Sequence, residues 1–472
     1  MKKIIYFLTI VCLVTMTGCI NDDFTTSSGD VLAFSTDTVA FDTVITLQGT
    51  ATKQMTVYNR SDKQVRISNI QVAGNAARGH FFLNVDGQKG NVFHDIEIRG
   101  RDSIFVMVEA YLDEAQQDAP ALLTDQIVFE TNGVQQQVTL TAWGQDVVRL
   151  HGDTISRNIH FTADKPYLIY DTVFVARGRT LTIDPGATLL FHDKGAMRVA
   201  GRMLAKGTQE RPITLRGDRL DNVVGNIDFD IMSGQWGGII FTPPTMGNEL
   251  SYVTMSGSSI GMHCSAADTT QCALRLINCV LHNSSSSCLT TGGCWVEAIG
   301  TEFSDAASSV VNFIGGKVNL VQCTVANFYL FASISEPLCC VYSQDNAHSI
   351  PALRGRFDNC IFYGNTVELN EGNLDATDVM LRYCLLKSNG ENDAHFIGCV
   401  WKGDPKFYTV REDYIFDYRL RNESDAIAKG NPALCPAAAR YDRYGVDRLA
   451  RGGVDLGAYA WVEAATPAPP RR

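Results

Sequence analysis

Short apolar runs parted by turn residues fill the chain, and their rhythm changes near residue 150. Before that point the runs alternate apolar and polar positions: Val39 to Phe41, Met55 to Tyr58, Val65 to Ile70, Ile104 to Val108, Ile127 to Phe129 and Val138 to Leu140. Clusters such as Asn59 to Asp62 and Thr131 to Gly133 separate them with the residue types that hairpin turns need. A period of two puts alternate side chains on one face, so about seven strands over residues 31–147 predict a two-sheet, immunoglobulin-like sandwich. That stretch holds no cysteine, so no disulfide is expected between its sheets.

Beyond residue 150 each apolar run is too short to make a core alone. Residues 180–191 (TLTIDPGATLLF) read as strand, Pro-Gly corner and strand, and residues 197–201 and 212–215 repeat that rhythm. Further on a register can be counted. Cys279, Thr301 and Cys323 stand 22 residues apart, and Cys360 and Cys384 follow at 37 and 24, the first of these being 22 plus a 15-residue insertion. A period near 22 with short strands and Gly or Asn corners predicts a β-solenoid, in which equivalent positions stack from coil to coil. Cys279, Cys323, Cys360 and Cys384 then form one inward column of small apolar residues. Asn283, Asp305, Asn327, Asn365 and Asn389, four or five residues later, form a second column that tolerates left-handed turns and can hydrogen-bond along the stack.

These features resemble the right-handed parallel β-helices of the pectate-lyase-like superfamily over residues 150–462, which makes the expected fold all-β: a sandwich followed by a right-handed parallel β-helix. The resemblance is carried by residues 166–169 (PYLI), 180–186 (TLTIDPG) and 235–238 (QWGG), which are similar to bacterial β-helix surface proteins. Residues 417–420 (DYRL), 424–427 (SDAI) and 455–459 (DLGAY) resemble their C-terminal coil, with Asp425 standing where Pro is commoner. Ten to twelve coils at roughly 4.8 Å per rung would give a rod of about 50 to 60 Å. The sandwich, with residues 58–61 (YNRS) and 142–144 (AWG), resembles the Ig-like modules that Bacteroidetes place next to lipoprotein anchors, where they act as spacers.

Lys2 and Lys3 precede a 14-residue apolar run, Ile4 to Thr17, too short for a stable membrane span and matched to the core of an export signal. Its end, residues 16–19 (MTGC), resembles a bacterial lipoprotein signal: residues 1–18 would be removed and Cys19 would become the lipidated, palmitate-bearing N-terminus, the chain's membrane partner. Residues 19–30 are then a tether. Its Asp22 and Asp23 look like the acidic signal that carries Bacteroidetes lipoproteins to the outer face of the outer membrane. Residues 463–472, rich in Pro and ending in two Arg, read as a disordered tail.

Charge narrows the partners. Across 472 residues the formal charge is −11, and removing Lys2 and Lys3 with the signal makes it −11 − 2 = −13, so no basic surface for nucleic acid is expected. Of 14 cysteines, Cys12 leaves with the signal and Cys19 is the anchor, which leaves 14 − 2 = 12 between Cys264 and Cys435. None has zinc-knuckle spacing, so neither a metal site nor a cofactor is expected. The pairs Cys264 with Cys272 and Cys288 with Cys294 are candidates for local disulfides, and the column for reduced core thiols.

Enzymes on this fold that cut polysaccharides use clustered carboxylates, with or without a basic residue. Asp305 has uncharged neighbours in its column, and His263 and His282 have no acidic residue at the repeat spacing. Asp228 with Asp230, and the run Glu368, Glu371, Asp375 and Asp378, are the remaining acidic clusters, the run reading as a solvated loop. No catalytic set emerges. Trp236, Trp295 and Trp401 are the candidate binding residues for a polysaccharide or host glycan. The chain therefore reads as a surface lipoprotein holding a non-catalytic binding or adhesion rod. A polysaccharide lyase or glycoside hydrolase on the same scaffold, and a purely structural envelope component, are the alternatives.

Overall fold

The computed structural model describes residues 23–74, 80–116, 118–224, 227–266, 268–343 and 351–463. Residues 1–18, Cys19 and the start of the tether, and the tail from 464 onward, lie outside the described residues. The chain divides into two compact units, Met1–Asp146 and Val147–Arg472.

The first unit is a sandwich of two five-stranded sheets. One runs in the order Leu32–Phe34, Lys53–Asn59, Ser103–Ala110, Phe81–Val85 and Gln88–Gly90; the other runs Thr38–Ile45, Val134–Gln145, Ala121–Thr131, Val65–Val72 and Val92–Ile98. Pairing is antiparallel except between Thr38–Ile45 and Val134–Gln145. Along Ser103–Ala110 the alternation is clean: Ile104, Val106, Val108 and Ala110 are buried, whereas Phe105, Met107 and Glu109 face outward. Asn59, in the 58–61 motif, works at a corner. Its Nδ2 donates to the carbonyls of Lys63, Ile98 and Arg99 at 2.8, 3.0 and 2.9 Å, and so ties together the two turns at that corner.

The second unit is a parallel β-helix of three sheets, all of whose ladders are parallel. The first sheet has ten strands, from Val148–Leu150 to Leu385–Leu386; the second has eight, from Thr154–Ile155 to Cys339–Tyr342; the third has ten, from Ile159–Phe161 to Phe396–Ile397. One coil shows the design: Val280–Ser284, Leu289–Gly292 and Trp295–Ile299 lie on successive sheets, and Glu302–Ala306 returns to the first, one rung on. Leu281, Leu289, Val296 and Ala298 point inward and are buried, joining a core cluster that runs from Ile155 to Cys399. Trp236 fills that core, stacked on Phe191 at 4.0 Å with its Nε1 donating to the Ser256 carbonyl at 2.8 Å.

The corner from the third sheet back to the first sets the period. Tyr252, Asn278, Gly300, Gln322, Asn359, Tyr383 and Gly398 all hold φ between +50° and +64° there. That left-handed residue turns the chain, and the next one, Val253, Cys279, Thr301, Cys323, Cys360, Cys384 or Cys399, drops its side chain into the core. The 15 extra residues before Cys360 fall at positions 328–338 and 343–353, on either side of the strand Cys339–Tyr342, which keeps its place in the second sheet.

One expectation needs correcting. Residues 417–420 and 455–459 do not form a last coil. Asp417–Leu420 pairs with Phe407–Thr409 as an antiparallel hairpin, and the solenoid's last strand is Phe396–Ile397. The C-terminal segment instead folds back over the outer face of the first sheet. Phe407, Tyr418, Leu420, Leu456, Ala458 and Tyr459 bury the outward residues Ala326, Ile361 and Leu385 in a second apolar cluster. Parallel strands that carry apolar residues on both faces need such a cover. The eighth to tenth rungs meet that need with chain that has left the solenoid.

Candidate functional site

On the outer face of the first sheet, Ser256, His282, Ser304 and Ala326 stack at successive rungs, with Arg216 one rung before Ser256. The C-terminal cover lies over Ser304 and Ala326, which are fully buried, and ends at His282, where the Phe416 ring packs 5.0 Å from the imidazole. The uncovered rungs form the floor of a groove of about 410 Å³, lined by Arg216, Asp230, Tyr252, Thr254, Ser256, His282, Arg443 and Tyr444.

An insertion, residues 218–236, forms one wall between the strands Ile213–Gly217 and Gly238–Phe241. It carries Asp230, whose Oδ1 accepts from Ser256 Oγ at 2.9 Å and lies 3.6 Å from Arg216 Nε. Asn283 holds the insertion in place, its Nδ2 donating to the carbonyls of Asp230 and Ile231 at 3.1 and 2.7 Å. The C-terminal segment forms the other wall. Arg443 donates to the Asn278 carbonyl at 2.6 Å and to Thr254 Oγ1 at 2.5 Å, and the Tyr444 carbonyl accepts from Gln209 Nε2 at 2.8 Å. Behind these, the buried Asp442 carboxylate accepts from the backbone N–H groups of Tyr444, Val446 and Ala460, and burial pushes its pKa above the ordinary carboxylate value. Arg448, also buried, reaches Gln322 Oε1 and the carbonyls of Gly457 and Ala458; burial pulls its pKa down.

At the covered end His282 Nδ1 lies 3.0 Å from Ser304 Oγ and 3.3 Å from Asp305 Oδ2. His282 thus has an acidic partner, contrary to the sequence expectation. Asp305 stands 23 residues on, one more than the repeat, because it occupies the next position along the following strand with φ +57°. Both buried carboxylates here are already occupied. Asp305 accepts from Tyr418 Oη at 2.5 Å and Phe328 N at 2.7 Å, and Glu302 accepts from Ser304 Oγ at 2.7 Å and from Tyr459 Oη. Among the described residues that line the groove Asp230 is the one carboxylate, so the pair of facing carboxyls that glycoside hydrolysis needs is not assembled there. What the groove offers is guanidinium, imidazole, hydroxyl and phenol groups on a rigid floor.

The other candidates scatter. Trp236 is core and reaches no surface. Trp295 lies on the third sheet with Lys317 Nζ 3.7 Å from its ring centroid, and Trp401 packs on Phe396 at 4.9 Å. None of the three lines the groove. In the acidic run, Glu368 is buried and accepts from the N–H groups of Lys387 and Ser388, Asp378 pairs with Arg356, and Asp375 is exposed; the side chain of Glu371 lies outside the described set. Asn283, Asp305 and Asn327 occupy successive rungs and are buried, whereas Asn365 and Asn389 stand one position further along and are exposed, Gly364 taking the place beside Asn327.

The twelve described cysteines are free thiols. Cys279, Cys323, Cys360 and Cys384 donate to the carbonyls of Leu250, Ala298, Asp358 and Phe357. Burial pushes Cys279 up to about 11 and the other three well above the ordinary thiol value, which keeps the column protonated. The local pairs expected from sequence separate: Cys272 Sγ donates to the Leu274 carbonyl and Cys288 Sγ to the Ser304 carbonyl. Among the described residues no group of three His, Cys, Asp or Glu side chains is placed to hold a metal ion, and no helix is long and apolar enough to cross a membrane.

No family model matches the chain, and no curated protein matches it. Solved structures similar to part of it include a Porphyromonas gingivalis protein of unknown function, at 9% identity over 26% of this chain and 59% of that one, with a TM-score of 0.19. The E. coli chaperone DraB is similar at 12% identity over 26% of this chain and 56% of its own, with a TM-score of 0.18. A family 123 glycoside hydrolase from Clostridium perfringens is similar at 4% identity over 26% of this chain and 30% of its own, also with a TM-score of 0.18.

Proposed function

We propose that the protein is a Bacteroidetes outer-membrane lipoprotein, anchored through Cys19 and exposed at the cell surface, whose β-helix binds a glycan in the groove beside Arg443 without cleaving it. The observation that carries this reading is the division of labour around His282. Groups that donate or accept hydrogen bonds line an open groove, while the carboxylates behind it, Asp305 and Glu302, are buried and saturated by the chain's own donors. A rigid floor with Tyr252 and Tyr444 at its margins suits a sugar chain, which needs apolar area and hydrogen bonds together. Lipidation is tested by palmitate labelling of the intact protein and of C19A, and surface exposure by protease treatment of whole cells.

The binding test is a glycan array with the mature detergent-extracted protein beside R443A and Y444A. Binding by the parent that falls at least tenfold in both variants, with no reducing-end or unsaturated product on incubation, is the expected result. The contact between His282 and Asp305 favours a second reading, a lyase or hydrolase that uses the imidazole as a base. Product release that H282A abolishes would replace the first reading with this one. Absence of any glycan binding would leave a structural envelope component.

A further inference from the structure

The sulfur atoms of Cys264 and Cys294 lie 3.7 Å apart, and both residues are fully buried. Thirty residues separate them, so neither the repeat of 22 nor short-range pairing brings them to notice. Cys264 points inward from Met262–Ser265 on the second sheet, level with Thr291 of the next rung. Cys294 follows three residues after Thr291, past the corner at Gly292 and Gly293, and turns its side chain back to donate to the Cys264 carbonyl at 3.3 Å. Cys323, Cys360 and Cys384 of the thiol column stand a full rung apart, roughly 4.8 Å, and their thiols, like that of Cys294, donate to backbone carbonyls. A disulfide needs sulfurs at about 2.05 Å, a closure within reach of side-chain rotation at a corner built on two glycines.

We infer that Cys264 and Cys294 are an oxidisable pair that closes into a disulfide clamping two adjacent rungs of the β-helix. The step is thiol–disulfide exchange with an oxidant of the disulfide class, such as oxidised glutathione or an exported disulfide-bearing oxidoreductase. One thiolate attacks the oxidant's S–S bond and releases its first thiol. The second cysteine, as thiolate, then attacks the mixed disulfide and releases the oxidant's other thiol. Two protons leave the pair and two electrons pass to the oxidant, which ends as two thiols. Because the pair is buried, exchange takes place during folding, before the second sheet closes over it. Whether the pair meets such an oxidant in the cell rests on the export reading given above.

The mature lipidated protein carries twelve cysteine thiols once Cys12 is removed and Cys19 is acylated. After refolding in a glutathione redox buffer, denaturing alkylation should label ten (12 − 2), and peptide mapping without reductant should join the segments holding Cys264 and Cys294. C264S should give eleven labelled thiols and no cross-link (12 − 1), and C272S nine with the cross-link intact (12 − 1 − 2). Twelve labelled thiols in the parent, or a link from Cys264 to Cys272, overturns the inference. Alkylation in intact cells separates the two premises. A disulfide formed in the redox buffer yet absent in cells overturns the export reading and leaves the pair standing.

Discussion

Arg448 shows how the groove's second wall is held, and replacing it with methionine gives the sharpest test of that arrangement. Its guanidinium is buried to 2% exposure, with Nη1 at 3.3 Å from Gln322 Oε1 and 3.1 Å from the Gly457 carbonyl, and Nη2 at 2.5 Å from the Ala458 carbonyl. Gln322 belongs to the left-handed corner column of the β-helix, whereas Gly457 and Ala458 belong to the C-terminal cover, so this one side chain bolts cover to solenoid. Methionine fills similar volume but leaves three buried acceptors without a donor. Each lost charge-assisted hydrogen bond costs about 1.5 to 3 kcal/mol, partly offset by the desolvation that the arginine no longer suffers, so a net loss of about 3 kcal/mol is expected. Asp442 keeps its three backbone donors but loses the Arg448 charge that opposes its burial, which adds to that loss.

At about 1.4 kcal/mol per tenfold, 3 kcal/mol raises the population of cover-open molecules roughly a hundredfold. The cover should open locally while the solenoid core stays folded, because the cover's own apolar cluster is separate from the main core. Hydrogen exchange is the assay: amides of residues 426–461 should lose about two orders of magnitude of protection in R448M, with those of the first sheet from residue 167 to 256 unchanged. R448K, which restores one of the acceptors, should fall between. Equal protection in parent and R448M would refute the assignment of Arg448 as the bolt. A uniform loss across the whole second unit would refute the separation of cover from core.

The insertion that forms the other wall should respond to N283A. Losing the bonds to the Asp230 and Ile231 carbonyls and placing Ala at φ +58° costs about 2 kcal/mol, read as faster proteolysis within residues 218–236. W236A should destabilise the β-helix by about 3 to 5 kcal/mol, measured by urea unfolding, since it empties a fully buried site stacked on Phe191. Acid should loosen the hairpin of residues 407–420. Glu412 accepts from Thr409 Oγ1 and the N–H groups of Val410 and Arg411, which draws its pKa from 4.5 to about 2. A carboxyl depressed by folding stabilises above its unfolded pKa, so this contribution is complete above pH 4.5 and fades as pH falls toward about 2. Because the group is largely exposed, the effect is local and small, and E412Q should remove the pH dependence of the protection factors, exchange relative to the free-chain rate at each pH, at Val410 and Arg411.

The β-helix was readable because one corner column repeats a small inward residue, and five of its members are cysteine, four of which the count along the sequence picks out. The physical cause of that column sits one residue earlier, where Tyr252, Asn278, Gly300, Gln322, Asn359, Tyr383 and Gly398 share a left-handed backbone and nothing else. Composition hides such a column, since the conformation is imposed by the stack and not by the residue. The polar ladder was legible only where no insertion intervened: extra residues on either side of Cys339–Tyr342 shift the count, and Gly364 takes the place that Asn365 was expected to fill.

The groove escaped sequence reading for a different reason. Its floor comes from the repeat, but its walls do not. Arg443 meets Thr254 across 189 residues, and Asp230 reaches the floor from an insertion that obeys no period. Motifs near the C-terminus carried a real signal, yet a sequence fit for stacking on the last rung is equally fit for lying against a sheet face, because both bury the same alternate apolar residues. What decides between them is the outward face of the first sheet, where the row Ser256, His282, Ser304 passes to Ala326 and the neighbouring row Glu302, Thr324 passes to Ile361 and Leu385. Apolar positions on the outward face of those last rungs need a cover, and the C-terminal segment supplies it.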